Sequence, residues 1–243
     1  MRFLVLMSDN RKLSYSIENA SYWSMTAYVN KIYCDKHGYD FIYVNTYSSD
    51  PTIESDLYNC KSPTGAIRHA AWGKILSVLN LLKNFTHDFV VYIDTDCIFK
   101  NFSLKLESIV AGHQDANFFF LNNKPWSSVL PCTGFFICKN DQRTIDYLNK
   151  WYSVNIPQND VIHPWEQNAL YKIWPLIRTQ CVLIDEWMFR EEEGQFLRHI
   201  GSNESQLRIP YFLEVVKSLE PSNGEIKNVL SSIETKSLDT CML

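Results

Sequence analysis

Apolar residues in the first hundred positions alternate between short strand-like runs and longer stretches with helical spacing. Phe3 to Met7 is a five-residue apolar run that predicts a first strand, and Phe41 to Val44 predicts a second. Between them, Ser14 to Lys36 has apolar residues at loosely helical spacing, with Gly38 as a stop signal. Ala66 to Lys83 has the pattern of an amphipathic helix. This order is typical of a parallel sheet covered by helices.

A third apolar run, Phe89 to Ile93, ends directly at Asp94, Thr95 and Asp96. If the strand continues, its alternation places both acids on one face, with Cα atoms about 7 Å apart and Thr95 pointing away. Two carboxylates about 4 Å apart repel by on the order of 4 kcal/mol at an effective dielectric of about 20. A divalent cation that carries a phosphorylated ligand would supply the counter-charge. Because open α/β sheets bind ligands at the carboxyl ends of their strands, we favour a metal site over a structural turn.

The pattern changes in the second half of the chain. Further strands are predicted at Asn117 to Leu121, Gly134 to Lys139, Cys181 to Ile184 and Phe196 to Ile200, and helices at Asp141 to Tyr152 and Pro164 to Ile173. From Tyr211 onward two weak helical patterns are broken by Pro221 and Gly224. The predicted fold class is therefore α/β.

Composition narrows the functional class. The chain has 243 residues, 46% of them hydrophobic, and no linker-like segment, so we expect one domain over 1–243, with a core over about 1–205 and a helical tail over 206–243. A formal charge of −4 without a dense basic run argues against a nucleic-acid partner. Without an apolar run long enough for a signal peptide or a transmembrane segment, we expect a cytoplasmic protein, in a prokaryotic or viral setting. Seven cysteines without close pairing indicate reduced, packing thiols.

Six sequence blocks occur in an order that resembles the glycosyltransferases of the GT-A fold, most closely the retaining family of α-galactosyl, α-xylosyl and α-mannosyl transferases. The blocks are YCDKHGYDF from Tyr33, HAAWGKI from His69, YIDTDCIFKN from Tyr92, TGFFICKN from Thr133, PWEQNAL from Pro164 and FLRHIGS from Phe196. The resemblance covers about residues 1–205. It implies a mixed central sheet flanked by helices, and an enzyme that moves a hexose or pentose from a UDP- or GDP-linked donor to a glycan or other hydroxyl acceptor. A UDP-sugar is preferred, although no residue settles the nucleotide.

The resemblance implies a metal site. In such enzymes both acids of the strand-end pair and a histidine near the carboxyl end hold Mn²⁺ or Mg²⁺, and the matching residues here are Asp94, Asp96 and His199. A lone histidine in an apolar strand is more often a core residue. The following Ile200-Gly201-Ser202 resembles the closing motif of the family, which favours a ligand role. Imidazole suits manganese better than magnesium.

Further residues are candidates for donor binding: Ser8, Asp9, Arg68, Lys74, Thr95, Gly134 and Gly201. Arg68 lies in the first turn of the helix predicted from Ala66, and its positive charge, like that of Lys74, is suited to the phosphates. A position on a solvated helix face explains Arg68 equally well. Gly134 would let the backbone approach the donor closely, but an ordinary strand glycine is an equally good interpretation. Ser8 and Asp9 follow the first strand and are suited either to the base or ribose or to capping a loop.

Glu166 and Gln167 are the candidate catalytic residues, because the resemblance places this pair against the donor sugar, where many families have Asp at the first position. An inverting transferase needs a general base for the acceptor hydroxyl, and no residue of this sequence is clearly suited to that role. In a same-face substitution the departing phosphate can take the acceptor's proton instead. We therefore favour retention by front-face attack, with Glu166 or Gln167 stabilising an oxocarbenium-like centre. A covalent intermediate on Glu166 stays open. Trp187, Met188 and Glu191 to Glu193 are either an acceptor loop or a solvated face.

Two other classes compete. Phosphatases of the haloacid dehalogenase type also place Asp-x-Asp after an apolar strand, but on the first strand and with Thr or Val two residues beyond the second acid, where this chain has Ile98. A catalytically silent nucleotide-sugar-binding module would make Asp94, Asp96 or His199 dispensable, and all three are present.

Overall fold

The computed structural model describes residues 1–14, 21–46, 60–185 and 195–237. Within these ranges the strands are β1 Phe3–Asp9, β2 Asp40–Asn45, β3 Phe89–Ile93, β4 Cys97–Phe99, β5 Phe118–Asn123, β6 Ser127–Lys139, β7 Cys181–Ile184, β8 Leu197–His199 and β9 Glu234–Ser237. The helices are α1 Tyr22–His37, α2 Gly73–Asn84, α3 Leu106–Val110, α4 Gln142–Ser153, α5 Pro157–Val161, α6 Trp165–Ile177, α7 Arg208–Ser218 and α8 Asn223–Ser232.

A mixed sheet runs through the centre of the described part of the molecule, with strand order β7-β5-β6-β3-β1-β2-β9. β1 pairs in parallel with β2 and β3, whereas the long β6 runs antiparallel to β3 and β5. All seven residues of β1 are buried, as the continuous apolar run predicts for a central strand. The parallel strands β1, β2 and β3 end at the same edge, and the site described below lies there.

Apolar side chains on the two faces of the sheet form two separate core layers. Alternate residues of β1 divide between them, with Val5 in one layer and Leu6 in the other. Residues of α1, α7 and α8 pack in the first layer, and residues of α2, α4 and α6 pack in the second. The helical patterns read from the sequence thus correspond to helices that cover opposite faces.

A small second sheet supports the site from one side. In it β4 and β8 run antiparallel, and Cys97 lies opposite His199. The backbone N–H of Ile200 donates to the carbonyl of Asp96 over 2.9 Å, which fixes the end of β8 against the acidic pair. This pairing joins residues about a hundred positions apart in the chain.

Several short elements were absent from the sequence-based prediction: β4, α3, α5 and β9. They have three to five residues each, too few for periodicity to identify. β9 is also mostly polar, and it pairs in parallel with β2 at the edge of the sheet. The helix predicted from Ala66 was wrong at its start, because Ala70–Trp72 is a 3-10 turn and α2 begins only at Gly73. No helix in the described ranges is long and apolar enough to cross a bilayer.

The C-terminal helices α7 and α8 pack in the first core layer of the central sheet. We therefore expect the segment from Arg208 to unfold together with the sheet. Phe212 of α7 is fully buried in the first core layer. Replacing it with Ala should lower the free energy of unfolding by about 3–5 kcal/mol. The measurement is chemical denaturation followed by circular dichroism and tryptophan fluorescence. Leu219→Ala, at a position that is 37% exposed, is the matched control and should change stability by less than about 0.5 kcal/mol. Separate transitions for the two probes would contradict a single cooperative domain.

Candidate active site

The acidic pair lies on a turn rather than on a strand. β3 ends at Ile93, and the N–H of Cys97 donates to the carbonyl of Asp94 over 3.0 Å, which closes a turn around Thr95 and Asp96. The premise that Asp94 and Asp96 continue the strand was therefore wrong. The outcome is similar, since one ligand atom each from Asp94, Asp96 and His199 lies within 4.8 Å of the others. The turn and the β4–β8 pairing together form this cluster.

Both oxygens of Asp96 are paired with cationic groups of the protein. His199 Nε2 lies 2.9 Å from Asp96 Oδ1, and Arg208 Nη2 pairs with Asp96 Oδ2. Burial opposes charge on the imidazole, but the carboxylate outweighs it and raises the pKa of His199 to about 10. Burial also acts to raise the pKa of Asp96, yet His199 and Arg208 lower it below its ordinary value. In this structure Asp96 is therefore ionised and neutralised from within the chain.

This pairing corrects part of the sequence-based argument for a metal. Repulsion between Asp94 and Asp96 does not by itself demand an added cation, because Lys74, His199 and Arg208 already neutralise the pair. Arg208 was not predicted. It is the first residue of α7 and lies 112 positions after Asp96, so no local motif connects the two.

Lys74 lies between the acidic pair and Glu166. Its ammonium nitrogen is 3.0 Å from Asp94 Oδ1, 2.8 Å from Glu166 Oε1 and 3.2 Å from the carbonyl oxygen of Thr133. These three acceptors use all three donors of an ammonium group. Desolvation acts to lower the pKa of Lys74, but Asp94 and Glu166 outweigh it and raise that pKa well above its ordinary value. Lys74 is therefore a permanent positive charge within the site.

Tyr92 is a further residue of the site that the sequence analysis missed. Its hydroxyl donates to Asp94 Oδ1 over 2.9 Å, and it accepts from Ser8 Oγ at 3.4 Å. Burial and the neighbouring Asp94 raise the pKa of Tyr92 well above its ordinary value, so the group stays a donor. The available signal was its position two residues before Asp94 in an otherwise aliphatic strand end. With Lys74 and Tyr92 both on Oδ1, the other oxygen of Asp94 remains for a ligand.

Glu166 and Gln167 begin α6 and are tied to β6. Thr133 Oγ1 donates to Glu166 Oε1 over 2.8 Å, and the N–H of Thr133 donates to Gln167 Oε1 over 3.0 Å. Gln167 Nε2 donates to the hydroxyl of Tyr171 over 2.8 Å. Glu166 is only 2% exposed, so its carboxylate is covered rather than displayed to an incoming sugar. In this structure Glu166 is the buried partner of Lys74.

Gly134 allows the His199 ring to approach the backbone of β6 closely. A Cβ at this position would lie 2.6 Å from Cε1 of the His199 ring and 3.2 Å from Asp94 Oδ2. The first distance is too short for any side chain. A residue without a Cβ is therefore required at position 134, because the side chains of His199 and Asp94 occupy the space.

Arg68 is the clearest correction among the predicted residues. It precedes the 3-10 turn, is 0% exposed, and has Nε 2.7 Å from Asp160 Oδ1 with its guanidinium 3.7 Å above the ring of Trp72. Its two remaining nitrogens donate to the carbonyls of Tyr152 and Val154. Because each of its three nitrogens is hydrogen-bonded and the side chain is fully covered, Arg68 stabilises the loop around α5 and is not displayed to a phosphate.

The remaining predicted residues lie around the turn. Asp9 accepts from Arg11 Nε at 2.7 Å and from the hydroxyl of Thr95 at 2.8 Å, so the end of β1 is held to the acidic turn. Ser8, Asp9 and Thr95 are all at most 9% exposed. Gly201 precedes the 3-10 turn Ser202–Leu207 and accepts from the N–H of Glu204 over 3.2 Å. Trp187, Met188 and Glu191 to Glu193 lie outside the described residues.

The three clustered side chains fit a divalent cation. Two carboxylate oxygens and an imidazole nitrogen form a mixed set that suits Mn²⁺. In octahedral coordination with bonds of about 2.1 Å, ligand atoms lie roughly 3 to 4.2 Å apart, so separations of up to 4.8 Å need only small side-chain adjustments. For Nε2 to coordinate the cation, it must lose its proton and give up its bond to Asp96. Asp94, Asp96 and His199 are thus suitable ligands.

Comparisons with known proteins agree with this architecture. The family model described as "galactosyl transferase GMA12/MNN10 family" matches residues 2–133, more than half of the chain. A search of curated proteins found no match. The crystal structure of a glycosyltransferase involved in the glycosylation of the major capsid of PBCV-1 aligns with a TM-score of 0.64 at 16% identity, over 87% of this chain and 99% of that one.

The glycosyltransferase GlyE of Streptococcus pneumoniae TIGR4 aligns with a TM-score of 0.52 at 13% identity, over 95% of this chain and 63% of that one. At such identities the likeness concerns the fold alone. The predicted fold class, a GT-A sheet flanked by helices, is confirmed.

Gly134→Ala should weaken divalent-cation binding, because the added methyl group displaces the His199 ring. A displaced ligand orientation typically lowers metal affinity by about 10- to 100-fold. The measurement is calorimetric titration of the protein with Mn²⁺ alone. Gly224→Ala in α8 is the matched control, since a Cβ there would have its nearest neighbour, Ser222 Oγ, at 4.0 Å, and its affinity should equal that of the wild type. Equal affinities for all three proteins would contradict His199 as a ligand.

Proposed function

Because this chain belongs to the galactosyl transferase GMA12/MNN10 family, we propose that it transfers a hexose or pentose from a nucleotide-linked donor to a glycan or other hydroxyl acceptor, with a divalent cation and with retention of configuration. The observation that carries the proposal is the cluster of Asp94, Asp96 and His199 at the carboxyl edge of the sheet, joined through Lys74 to Glu166. Membership in a glycosyltransferase family decides against the phosphatase alternative.

Asp94, Asp96 and His199 are the proposed ligands of the cation, with Mn²⁺ preferred over Mg²⁺. A cation held there would stabilise the negative charge that develops on the departing diphosphate, as a Lewis acid does. Lys74 adds a second positive charge that is fixed in place before the reaction by its three acceptors. A charge held rigidly in a site with little water stabilises a transition state without reorganisation. The proposed donor contacts are Ser8 and Asp9 at the end of β1, Thr95 in the turn after β3, and Gly201 after β8.

The state of Glu166 supports front-face substitution over a covalent intermediate. A carboxylate that accepts from both Lys74 and Thr133 and is 2% exposed is a weak nucleophile. Its negative charge can still stabilise an oxocarbenium-like centre electrostatically, less the part that the Lys74 ammonium offsets. Gln167, which is half-buried beside it, is the second proposed residue on the sugar side. The acceptor's proton then goes to the departing phosphate oxygen.

Donor binding should be tested with a thermal-shift screen of sugar nucleotides, UDP-linked first and GDP-linked next, with and without Mn²⁺. A ligand present at 100 times its dissociation constant stabilises a protein by about 2.7 kcal/mol. We expect such a shift with one donor and only in the presence of Mn²⁺. It should be lost in Asp96→Asn, which keeps the shape but removes the charge, and kept in the exposed control Asp115→Ala. A shift that persists in EDTA would contradict metal dependence.

Retention should be tested on the product. We expect proton NMR of the transferred sugar to show the same anomeric configuration as the donor, because attack and departure share one face. Mass spectrometry of the enzyme mixed with donor should show no sugar attached to Glu166. An inverted product would refute front-face substitution, and an adduct on Glu166 would establish the covalent route in its place.

A further inference from the structure

We propose that Thr133 is a positioning residue of the transferase site, which sets the orientation of Glu166 and Gln167 and shares Lys74 between Glu166 and Asp94. The proposal rests on the proposed function for its effect on catalysis. The contacts that support it concern the protein alone. Thr133 directly precedes Gly134 in β6. Of these two residues, the sequence predicted only Gly134 as part of the site.

Each polar atom of Thr133 contacts a different part of the site. Its hydroxyl donates to Glu166 Oε1 over 2.8 Å, and its N–H donates to Gln167 Oε1 over 3.0 Å. Its carbonyl accepts from Lys74 Nζ at 3.2 Å. Thr133 is 3% exposed, so solvent does not compete for these bonds. Thr133 thus bonds both candidate catalytic side chains and the buried ammonium group of Lys74.

The hydroxyl has a single proton, and its position follows from the distances. Gln167 Oε1 also lies 3.2 Å from Thr133 Oγ1, farther than the 2.8 Å to Glu166 Oε1. Gln167 is already fixed, because its amide nitrogen donates to Tyr171 and its oxygen accepts from the Thr133 N–H. The proton of the hydroxyl is therefore available to Glu166, where a charged acceptor makes the stronger bond.

Glu166 depends on this bond, because its two oxygens have unequal surroundings. Oε1 accepts from Lys74 and Thr133, whereas Oε2 is buried and has no hydrogen-bond partner among the described residues. A buried carboxylate with few donors is costly. Without the hydroxyl, Glu166 would be held by Lys74 alone and would be free to turn. The ammonium would then move toward Glu166 and away from Asp94, the proposed metal ligand.

The geometry of β6 explains why one strand can serve both halves of the site. Successive side chains of a strand point to opposite faces. Thr133 directs its hydroxyl toward Glu166, and the next residue, Gly134, lies against His199 and Asp94. The carbonyl of Gly134 also accepts from the N–H of Asp94 over 2.8 Å. A shift at Thr133 is therefore transmitted directly to the acidic turn.

The test compares Thr133→Val, which removes the hydroxyl but keeps the shape, with Thr133→Ser, which keeps the hydroxyl. Loss of a hydrogen bond to a charged group corresponds to a fall in kcat of about 10- to 100-fold for the Val variant, with the KM for the donor within about twofold of wild type. The Ser variant should recover most of the kcat. Thr144→Val is the matched control: Thr144 is 0% exposed, and its hydroxyl accepts from Asn117 over 3.1 Å in α4. It should lower the melting temperature and leave kcat unchanged.

Crystal structures of the wild type and of the two Thr133 variants supply a readout that does not need turnover. We expect one orientation of the Glu166 carboxylate in the wild type and the Ser variant, and a displaced carboxylate with a longer Lys74–Asp94 separation in the Val variant. An unmoved Glu166, or a Val variant with the kcat of the wild type, would overturn the role of Thr133. A wild-type protein that turns over no sugar nucleotide would instead refute the proposed function, and the crystal structures would still decide the positioning.

Discussion

The ammonium group of Lys74, buried between Asp94 and Glu166, is the interaction on which the rest of the site depends. It joins three segments that are distant in the chain: the acidic turn after β3, the start of α6 and, through its bond to the Thr133 carbonyl, the middle of β6. Removing a partner from a buried ion pair leaves an uncompensated charge and is strongly destabilising. These positions therefore constrain one another, and each of the three elements is held relative to the other two.

A second constraint acts on the opposite side of the acidic turn. Asp96 is paired with His199 from β8 and with Arg208 from α7. Gly134 permits this arrangement because no Cβ fits beside the imidazole. The chain therefore carries its own counter-charges where a cation is proposed to bind, and metal binding becomes an exchange of partners rather than a simple neutralisation. This exchange is why cation binding alone, without turnover, is an informative measurement for this protein.

The residues that were not anticipated share one property: they act on other side chains of the site. Tyr92 orients Asp94, Thr133 orients Glu166 and Gln167, and Arg208 neutralises Asp96. Arg68 shows the reverse case. It is a basic residue next to a motif, yet it is fully buried and bonds Asp160 and two carbonyls in the loop around α5. A charged residue near a motif is therefore poor evidence of ligand contact until its partners are known.

Local sequence patterns were sufficient to predict the class of fold and the members of the acidic cluster. Long apolar runs and helical periods are local properties, so β1, β3, β7 and α4 were predicted nearly to the residue, and the six blocks indicated the GT-A architecture. The partners of each polar side chain, in contrast, follow from how the strands and helices pack. Thr133 and Glu166, or Asp96 and Arg208, are brought together by strand and helix packing across 33 and 112 positions, a separation that no local pattern encodes. Burial then decides whether a charge faces a ligand or another part of the protein, because an ion away from water must find its partner within the chain.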